Sequence, residues 1–265
     1  MTLRIAALTM TLCSVLLTGI TAAAMSVVPG LFPTGEITYV ATGEVPNSHI
    51  IHMDIDRGLH INVSGFSSTS TQNVLPSWSA DGAQLAYLAR FNRTASIGHH
   101  LIVTSLNRHG ADHIIGDVGV ASLPSWSPDG RLAYITANNT GNSLTLHIVD
   151  ATGRVDSLSH QIAAARIPYG RVVWSPDGSQ LLALTAIAPS PDVQLHLIDP
   201  LTGQLRPLSE LIPRFGYMNW SPDGRSVSIL NERQQVIAID TANGNQQALT
   251  PDGLRVGASD WSADG

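Results

Sequence analysis

The sequence has ten histidines, and the densest group of them comprises His99, His100, His109 and His113. Neutral imidazole is a ligand for zinc, copper and nickel, so these side chains would hold a transition metal if the fold brought them together. Their spacing matches no established metal-binding motif. We therefore predict no metal and no cofactor, with a histidine metal site as the alternative.

Two further histidines, His147 and His196, occupy equivalent positions, each three residues before an aspartate, Asp150 or Asp199, that begins a turn. Their recurrence at one place in a repeated pattern indicates side chains that are half-buried on the face of a sheet. The segment 54–58 begins with the aspartate spacing of a calcium loop. Because it lacks the later acidic ligands and the terminal glutamate, we expect a plain turn there.

The motifs of nucleophilic and phosphate chemistry are missing. The sequence has no Gly-x-Ser-x-Gly elbow, no His-Glu-x-x-His motif and no Gly-x-x-x-x-Gly-Lys loop, and all 14 basic residues are arginine. The single cysteine, Cys13, lies in the apolar N-terminal segment, which excludes disulfides and a cysteine nucleophile from the remainder. We predict that the chain is not an enzyme; the alternative is a metal-dependent polysaccharide lyase or hydrolase.

Three irregular stretches combine arginine with aromatic residues, and Arg and Tyr are enriched among the residues that dominate protein interfaces. If their loops share one face of the fold, they form a rim that binds a protein, with a glycan as the alternative ligand. A net charge of −6 and the absence of a basic run argue against nucleic acid. The residues are Arg90, Phe91 and Arg93; Arg166, Tyr169 and Arg171; and Arg214, Phe215 and Tyr217.

These loops must be positioned by a repeated pentapeptide, Trp-Ser-Pro/Ala-Asp-Gly, which occurs five times at spacings of 48, 48, 46 and 41 residues. Proline fixes φ, aspartate bonds nearby backbone and glycine adopts φ > 0, so the motif is a tight reversal between two strands. The tryptophan ends the first strand and suits a site between two packed sheets. Five equal copies indicate a scaffold. The repeated residues are Trp78, Asp81 and Gly82; Trp126, Asp129 and Gly130; Trp174, Asp177 and Gly178; Trp220, Asp223 and Gly224; and Trp261.

Short strands with apolar residues follow the first four copies of the motif. In the third unit, for example, strands are predicted over residues 132–136 and 144–149 and near 155–158. Each complete unit therefore has four strands joined by hairpins, and no amphipathic helix of ordinary length interrupts the series. Four-stranded units at this period are the blades of a β-propeller. The predicted fold class is all-β, with a single propeller over residues 36–265.

The two ends of the repeat are complementary. The first unit, with strands predicted over residues 37–41, 49–55 and 59–63, lacks a Trp strand, whereas a Trp strand predicted over residues 256–261 has no strand after it. We predict that this C-terminal strand joins the N-terminal unit as its innermost strand and closes a ring of five blades, which also removes two open sheet edges. The alternative is a truncated propeller of six or seven blades.

Residues 1–24 have the features of a secretory signal peptide, with Arg4 as a minimal positive region, an uncharged stretch and small residues at 22–24. The alternatives are an uncleaved membrane anchor and lipidation at Cys13. Residues 25–35, with two prolines and two glycines, are predicted to be a linker. All three interpretations place the propeller outside the cytoplasm (periplasmic, secreted or anchored), with membrane contact only through the N-terminal segment.

The repeat resembles the TolB-type, or WD40-like, β-propeller repeat over residues 36–265. The resemblance rests on the five pentapeptides, on the Asp-to-Gly turns at 150–153, 199–203 and 240–244, and on the strand ending Ala248-Leu249-Thr250. Two pentapeptides depart from the pattern, with Ala80 and Ala263 in place of proline.

This resemblance implies a function as well as a fold. TolB is a periplasmic protein whose six-bladed propeller binds partner proteins of an envelope-spanning system, and a small α/β domain precedes the propeller. This chain has five units and too few residues between positions 24 and 36 for such a domain, so the resemblance implies an extracytoplasmic protein-binding scaffold rather than TolB's own role. The repeat also forms the propellers of prolyl-oligopeptidase-type peptidases, so a propeller fragment of a larger protein of that kind is a further alternative.

Overall fold

Nineteen β-strands in five antiparallel sheets make up the regular secondary structure of the residues that the computed structural model describes. This part of the chain contains no helix that is long and apolar enough to cross a membrane. The described residues are 35–42, 48–64, 70–91, 100–105, 113–116, 122–137, 143–150, 158–162, 171–186, 193–210 and 218–265.

Successive strands of each sheet are hydrogen-bonded neighbours, so every sheet is a simple meander. The first sheet contains β1 (Glu36–Thr42), β2 (Ser48–Asp54) and β3 (Leu59–Asn62). The second contains β4 (Ser70–Trp78), β5 (Gln84–Phe91), β6 (His100–Ser105) and β7 (His113–Gly116). The third contains β8 (Ser125–Trp126), β9 (Leu132–Ala137), β10 (Leu144–Val149) and β11 (Leu158–Ile162). The fourth contains β12 (Val172–Trp174), β13 (Leu181–Ala186), β14 (Val193–Ile198) and β15 (Leu205–Pro207). The fifth contains β16 (Met218–Trp220), β17 (Ser226–Leu230), β18 (Val236–Asp240) and β19 (Gln246–Ala248).

The hydrophobic core lies between successive sheets rather than within any one of them. Alternate residues of a strand point to opposite faces. In β13, Leu181 and Ala183 therefore pack in one cluster with the third sheet, while Leu182 and Leu184 pack in another with the fifth. Similar clusters join the first sheet to the second and the second to the third. The sheets thus stack face to face, as propeller blades do.

The repeated pentapeptides form tight turns after β4, β8, β12 and β16, which we call the Trp strands because each ends at its tryptophan. In the fourth sheet the Ser175 hydroxyl donates to Asp177 Oδ1 at 2.6 Å and accepts from the Gln180 backbone N–H at 3.0 Å. Gly178 completes the turn with φ of +70°, a conformation that favours glycine. The serine–aspartate pair recurs in the equivalent turns of the second, third and fifth sheets.

The first sheet has three strands, and β1 forms one edge of it. Residues 256–261, where the sequence predicts a strand, form no strand in the structure. This segment contacts β16, where Asn219 Nδ2 donates to the Ser259 carbonyl at 2.8 Å. Among the described residues this segment has no antiparallel partner. It therefore lacks the series of backbone hydrogen bonds to a neighbouring strand that defines a β-strand. Three large apolar residues of β1 are more than a third exposed: Ile37, Tyr39 and Val40.

The last described strand of the third sheet, β11, runs from Leu158 to Ile162. The sequence predicted a strand near residues 155–158, of which residues 155–157 lie outside the described residues. Ile162 is buried opposite Leu144 of β10. This apolar pair supports the register of β10 and β11. The polar residues that precede Ile162 in β11, Ser159, His160 and Gln161, give no alternating apolar pattern that would predict it.

Candidate functional site

The ends of the strands define two faces of the molecule. In the second sheet β4 reaches its pentapeptide turn at Trp78, and β5 runs back from that turn to end at Phe91. We call the end with the pentapeptide turns (residues 79–82, 127–130, 175–178 and 221–224) the turn face. The opposite end, where β5 ends and β12 and β16 begin, is the loop face. A parallel bridge between Leu123 and Arg171 aligns the third sheet with the fourth.

Two of the arginines proposed from the sequence as contact residues are described, and both lie at the loop face. Arg90 is exposed one residue before the end of β5, and Arg171 is half-buried directly before β12. Phe91, whose side chain is not described, is the last residue of β5. The structure therefore brings members of two predicted groups to one face, from different sheets. The other six lie outside the described residues: Arg93, Arg166, Tyr169, Arg214, Phe215 and Tyr217.

Arg171 takes part in a polar network that crosses between neighbouring parts of the fold. Its Nη2 group donates to Asn219 Oδ1 at 3.2 Å, and Asn219 Nδ2 donates in turn to the Ser259 carbonyl at 2.8 Å. The Asn219 amide thus uses both its donor and its acceptor, which fixes its orientation. The network joins the fourth sheet, the fifth sheet and the C-terminal segment, and it orders the Arg171 side chain.

Sequence reasoning missed Asn219 and Ser259. A signal for Asn219 was available, because it directly precedes a repeated tryptophan and serine stands at the same place in the second and third units, as Ser77 and Ser125. All three side chains are half-buried, which marks a recurrent polar position on the Trp strands. Ser259 contributes only its backbone carbonyl, which no side-chain motif reveals.

Two of the repeated tryptophans, Trp126 and Trp220, are hydrogen-bonded to the preceding sheet. Trp126 Nε1 donates to the Ser77 carbonyl at 3.0 Å, and Trp220 Nε1 donates to the Val173 carbonyl at 3.2 Å. Each acceptor directly precedes the tryptophan of the preceding sheet. These pentapeptide residues are therefore engaged in contacts between sheets, and the loop face is the better candidate for a binding site.

His147 and His196 lie on sheet faces with their rings engaged. His147 stacks on Tyr134 with 4.8 Å between ring centroids, and its Nε2 atom is 2.9 Å from Thr136 Oγ1. Its Nδ1 atom is 3.0 Å from Ser159 Oγ, and His196 has a threonine of β13 as a similar partner. Burial lowers the pKa of both imidazoles and so favours their neutral form. The two histidines act as neutral, hydrogen-bonded parts of the scaffold.

Within the described residues, no three histidine, cysteine or acidic side chains are grouped so that they could hold a metal. His100 is buried at the start of β6, at 5% exposure. The register of β6 and β7 places the backbone of His113 opposite Val103 rather than opposite His100. His99 and His109 lie outside the described residues, so a metal site that includes them stays a hypothesis from the sequence.

Residues 23–251 match the family model of the TolB beta propeller domain, which is most of the chain. The chain belongs to the TolB β-propeller family. This membership confirms the resemblance carried by the repeated pentapeptide, and it agrees with the stacked antiparallel sheets.

Relatives of this TolB-family chain are longer than it is. The uncharacterized protein Atu1656 of Agrobacterium fabrum is 29% identical over 145 residues, which is 54% of this chain and 47% of that protein. The crystal structure of TolB from Acinetobacter baumannii is similar with a TM-score of 0.57 at 18% identity, over 83% of this chain and 54% of that one. The chain thus spans about half the length of each of these two relatives.

Propellers that belong to enzymes share the fold as well. An oligogalacturonate lyase in complex with manganese has a TM-score of 0.59 at 14% identity, over 79% of this chain and 61% of its own. The acylaminoacyl peptidase of Pyrococcus horikoshii has a TM-score of 0.55 at 14% identity, over 81% of this chain and 37% of its own. At these identities the likeness shows the fold alone.

Proposed function

We propose that this TolB-family chain is an extracytoplasmic, non-catalytic scaffold that binds a protein partner through its loop face. The observation that supports this most directly is the position of Arg90 and Arg171, from two separate arginine–aromatic groups, at the same face. Arginine and aromatic residues are enriched among those that dominate binding energy. The extracytoplasmic location rests on the signal-like residues 1–24.

Arg171 is well prepared for such a contact. Asn219 holds its Nη2 group, and the Ser259 carbonyl holds Asn219. A side chain that is ordered before binding loses less conformational entropy when the partner arrives. The planar guanidinium pairs in a bidentate manner with a carboxylate, so the fitting partner surface carries Asp or Glu.

The loop face surrounds a single axis if the five sheets close into a ring, with residues 256–261 as the missing strand of the first sheet. The repeat sets the register of this closure. In the fourth sheet Leu181 pairs with Trp174, and Ile37 holds the place of Leu181 in the first sheet, as judged from the shared Asp-to-Gly turn that follows the next strand. Closure therefore places Trp261 opposite Ile37.

Site-specific photo-crosslinking in the producing cells tests the proposed function. A photoreactive amino acid at position 90 reports on the loop face. The same amino acid at position 225 is the matched control, because Arg225 is a highly exposed arginine beside the turn aspartate Asp223 on the turn face. We expect a discrete protein adduct from position 90, and little or none from position 225.

Equal adducts from both positions, or adducts from neither, would count against binding at the loop face. A second variant tests the role of Arg171 in the same experiment. Arg171→Lys retains the positive charge and loses the planar fork, so it should lower the yield of the position-90 adduct several-fold. An unchanged yield would contradict a bidentate contact at Arg171.

A further inference from the structure

A groove at the turn face of the fourth sheet is separate from the loop face and from the proposed partner site. It is lined by residues of the pentapeptide turn after β12 and of the turn between β14 and β15, and its volume is about 600 Å³. Cavities of this size hold small-molecule ligands. Arg131 lines the groove from the third sheet, and Arg206 lines it from β15.

Arg131 is held in position before any ligand binds. Its guanidinium lies 4.5 Å from the centroid of the Trp174 ring, and its Nε atom is 2.9 Å from Asp129 Oδ2. Its Nη2 group donates to the Gly178 carbonyl at 2.9 Å. These contacts fix the plane of the guanidinium and leave its Nη1 group for a ligand.

Arg206 is a second cationic donor at the groove, on an edge strand. Its side chain is exposed, and its Nη2 group donates to the Thr241 carbonyl of the fifth sheet at 2.9 Å. Within the described part of the chain this is its one hydrogen bond, so the Nε and Nη1 groups are open to a ligand. The Arg206 guanidinium is therefore held through Nη2 and can donate to a ligand through Nε and Nη1.

Two side-chain amides complete the polar lining. Gln180 and Gln204 both line the groove, and neither amide makes a hydrogen bond to another described residue. Asp199 is the one acidic residue that lines the groove in the described chain. Its Oδ1 atom already accepts the backbone N–H of Leu201 at 2.8 Å. The groove thus offers an excess of donors together with two amides that both donate and accept.

We infer that this groove is a binding site for a sugar acid, a ligand that combines a carboxylate with several hydroxyl groups. Arg206 makes no ion pair among the described residues, so its guanidinium pairs with the carboxylate. The charge of Arg131 is already balanced by Asp129, and its Nη1 group donates a further hydrogen bond, while the amides of Gln180 and Gln204 serve the hydroxyls. A neutral sugar leaves Arg206 without a counter-ion. A simple carboxylate leaves both amides unused.

Isothermal titration calorimetry of the full chain with glucuronate tests this inference, with glucose and acetate as ligand controls. We expect saturable binding of glucuronate at one site, and binding at least about tenfold weaker for glucose and for acetate. Arg206→Gln should weaken glucuronate binding about tenfold. Arg225→Gln is the matched control, since it removes another turn-face arginine that does not line the groove, and it should leave the affinity unchanged.

The inference is overturned if glucuronate shows no saturable binding, or if Arg206→Gln binds it as tightly as the unaltered chain. Equal affinity for glucuronate and either control ligand overturns the assignment to a sugar acid. Arg131→Gln is an additional variant that also removes the stacking on Trp174. If that variant does not fold, Arg206→Gln still decides the question, because Arg206 is exposed.

Discussion

Trp126 donates its indole N–H to the carbonyl of Ser77, 3.0 Å away on the preceding sheet. The two residues are 49 positions apart in the chain, and the same contact joins Trp220 to Val173. Trp126 and Trp220 therefore each contribute a directional hydrogen bond between sheets as well as apolar surface. By contrast, the Nε1 atoms of Trp174 and Trp261 are buried without a hydrogen-bond partner in the described part of the structure.

Trp126→Phe should lower the free energy of unfolding by about 1 kcal/mol through the lost inter-sheet hydrogen bond, because phenylalanine keeps most of the aromatic packing. Trp261→Phe is the matched control, since its ring is also half-buried and its indole N–H makes no hydrogen bond among the described residues. Urea unfolding measures both losses. If they are equal, the Trp126 hydrogen bond does not stabilise the stack.

Gly203→Ala should be far more costly than Gly130→Ala. Both glycines have positive φ, +71° and +84°, so alanine is strained at either position by about 1–2 kcal/mol. At Gly203 a Cβ atom would also clash with the Cβ of His160 on the third sheet, whereas nothing lies within 4 Å at Gly130. Overpacking should add about 1–3 kcal/mol in Gly203→Ala. Similar unfolding midpoints for the two variants would show that the fourth-sheet turn does not pack closely on β11.

Folding stability should decrease as the pH falls below about 6.5, the ordinary pKa of histidine. Burial lowers the pKa of His147 and His196 in the folded chain. Below the unfolded pKa the unfolded chain therefore binds protons that the folded chain does not, and stability is lost until the folded pKa values are reached. Urea unfolding at several pH values between 7.5 and 5 gives the free energy of unfolding as a function of pH. This free energy should change less steeply with pH in the double variant His147→Gln, His196→Gln. An unchanged slope would mean that other groups cause the pH dependence.

Ser175→Ala should raise the pKa of Asp177 toward its ordinary value of 3.8. The Ser175 hydroxyl is the first cause of the lowered pKa of this carboxyl, followed by the Ser179 backbone N–H. Removing the hydroxyl removes a hydrogen bond that favours the ionised form of the Asp177 carboxyl. Carboxyl-carbon NMR titration measures the shift, and Ser221→Ala in the next sheet is the control that should leave Asp177 unaffected. A pKa for Asp177 that is the same in both variants would contradict this cause.

The blade architecture was predictable because the interactions that form each turn are local. Ser175, Asp177 and Gly178 make their hydrogen bonds within five residues of one another, so the pentapeptide carries the turn with it wherever it occurs. The predicted strand over residues 256–261 depended instead on a partner at the other end of the chain. A segment has the pattern of a strand in its own sequence, but it becomes one only when a neighbour pairs with it.

The candidate sites were predictable to different extents. Arg90 was predicted in an irregular stretch and instead lies in β5, one residue before its end, whereas Arg171 lies outside a strand as predicted, directly before β12. The alternating strand direction of a meander places both at one face. The contact between Arg171 and Asn219 joins residues 48 positions apart. The stacking of Arg131 on Trp174 likewise depends on how two sheets are offset. Side-chain contacts between blades carry no local sequence signal, so the groove at the turn face emerged only from the structure.

The proposed loop-face site depends most on the closure of the five sheets into one ring, because a closed ring places the loop-face residues around a common axis. Disulfide formation tests it in a Cys13→Ser background. The repeat register places Asp260 opposite Thr38, so Thr38→Cys with Asp260→Cys should form an intramolecular disulfide in air. Thr38→Cys with Val256→Cys, about 13 Å out of register along the strand, should not. No disulfide in the first variant, equal disulfide in both, or disulfides only between chains would contradict the closed ring.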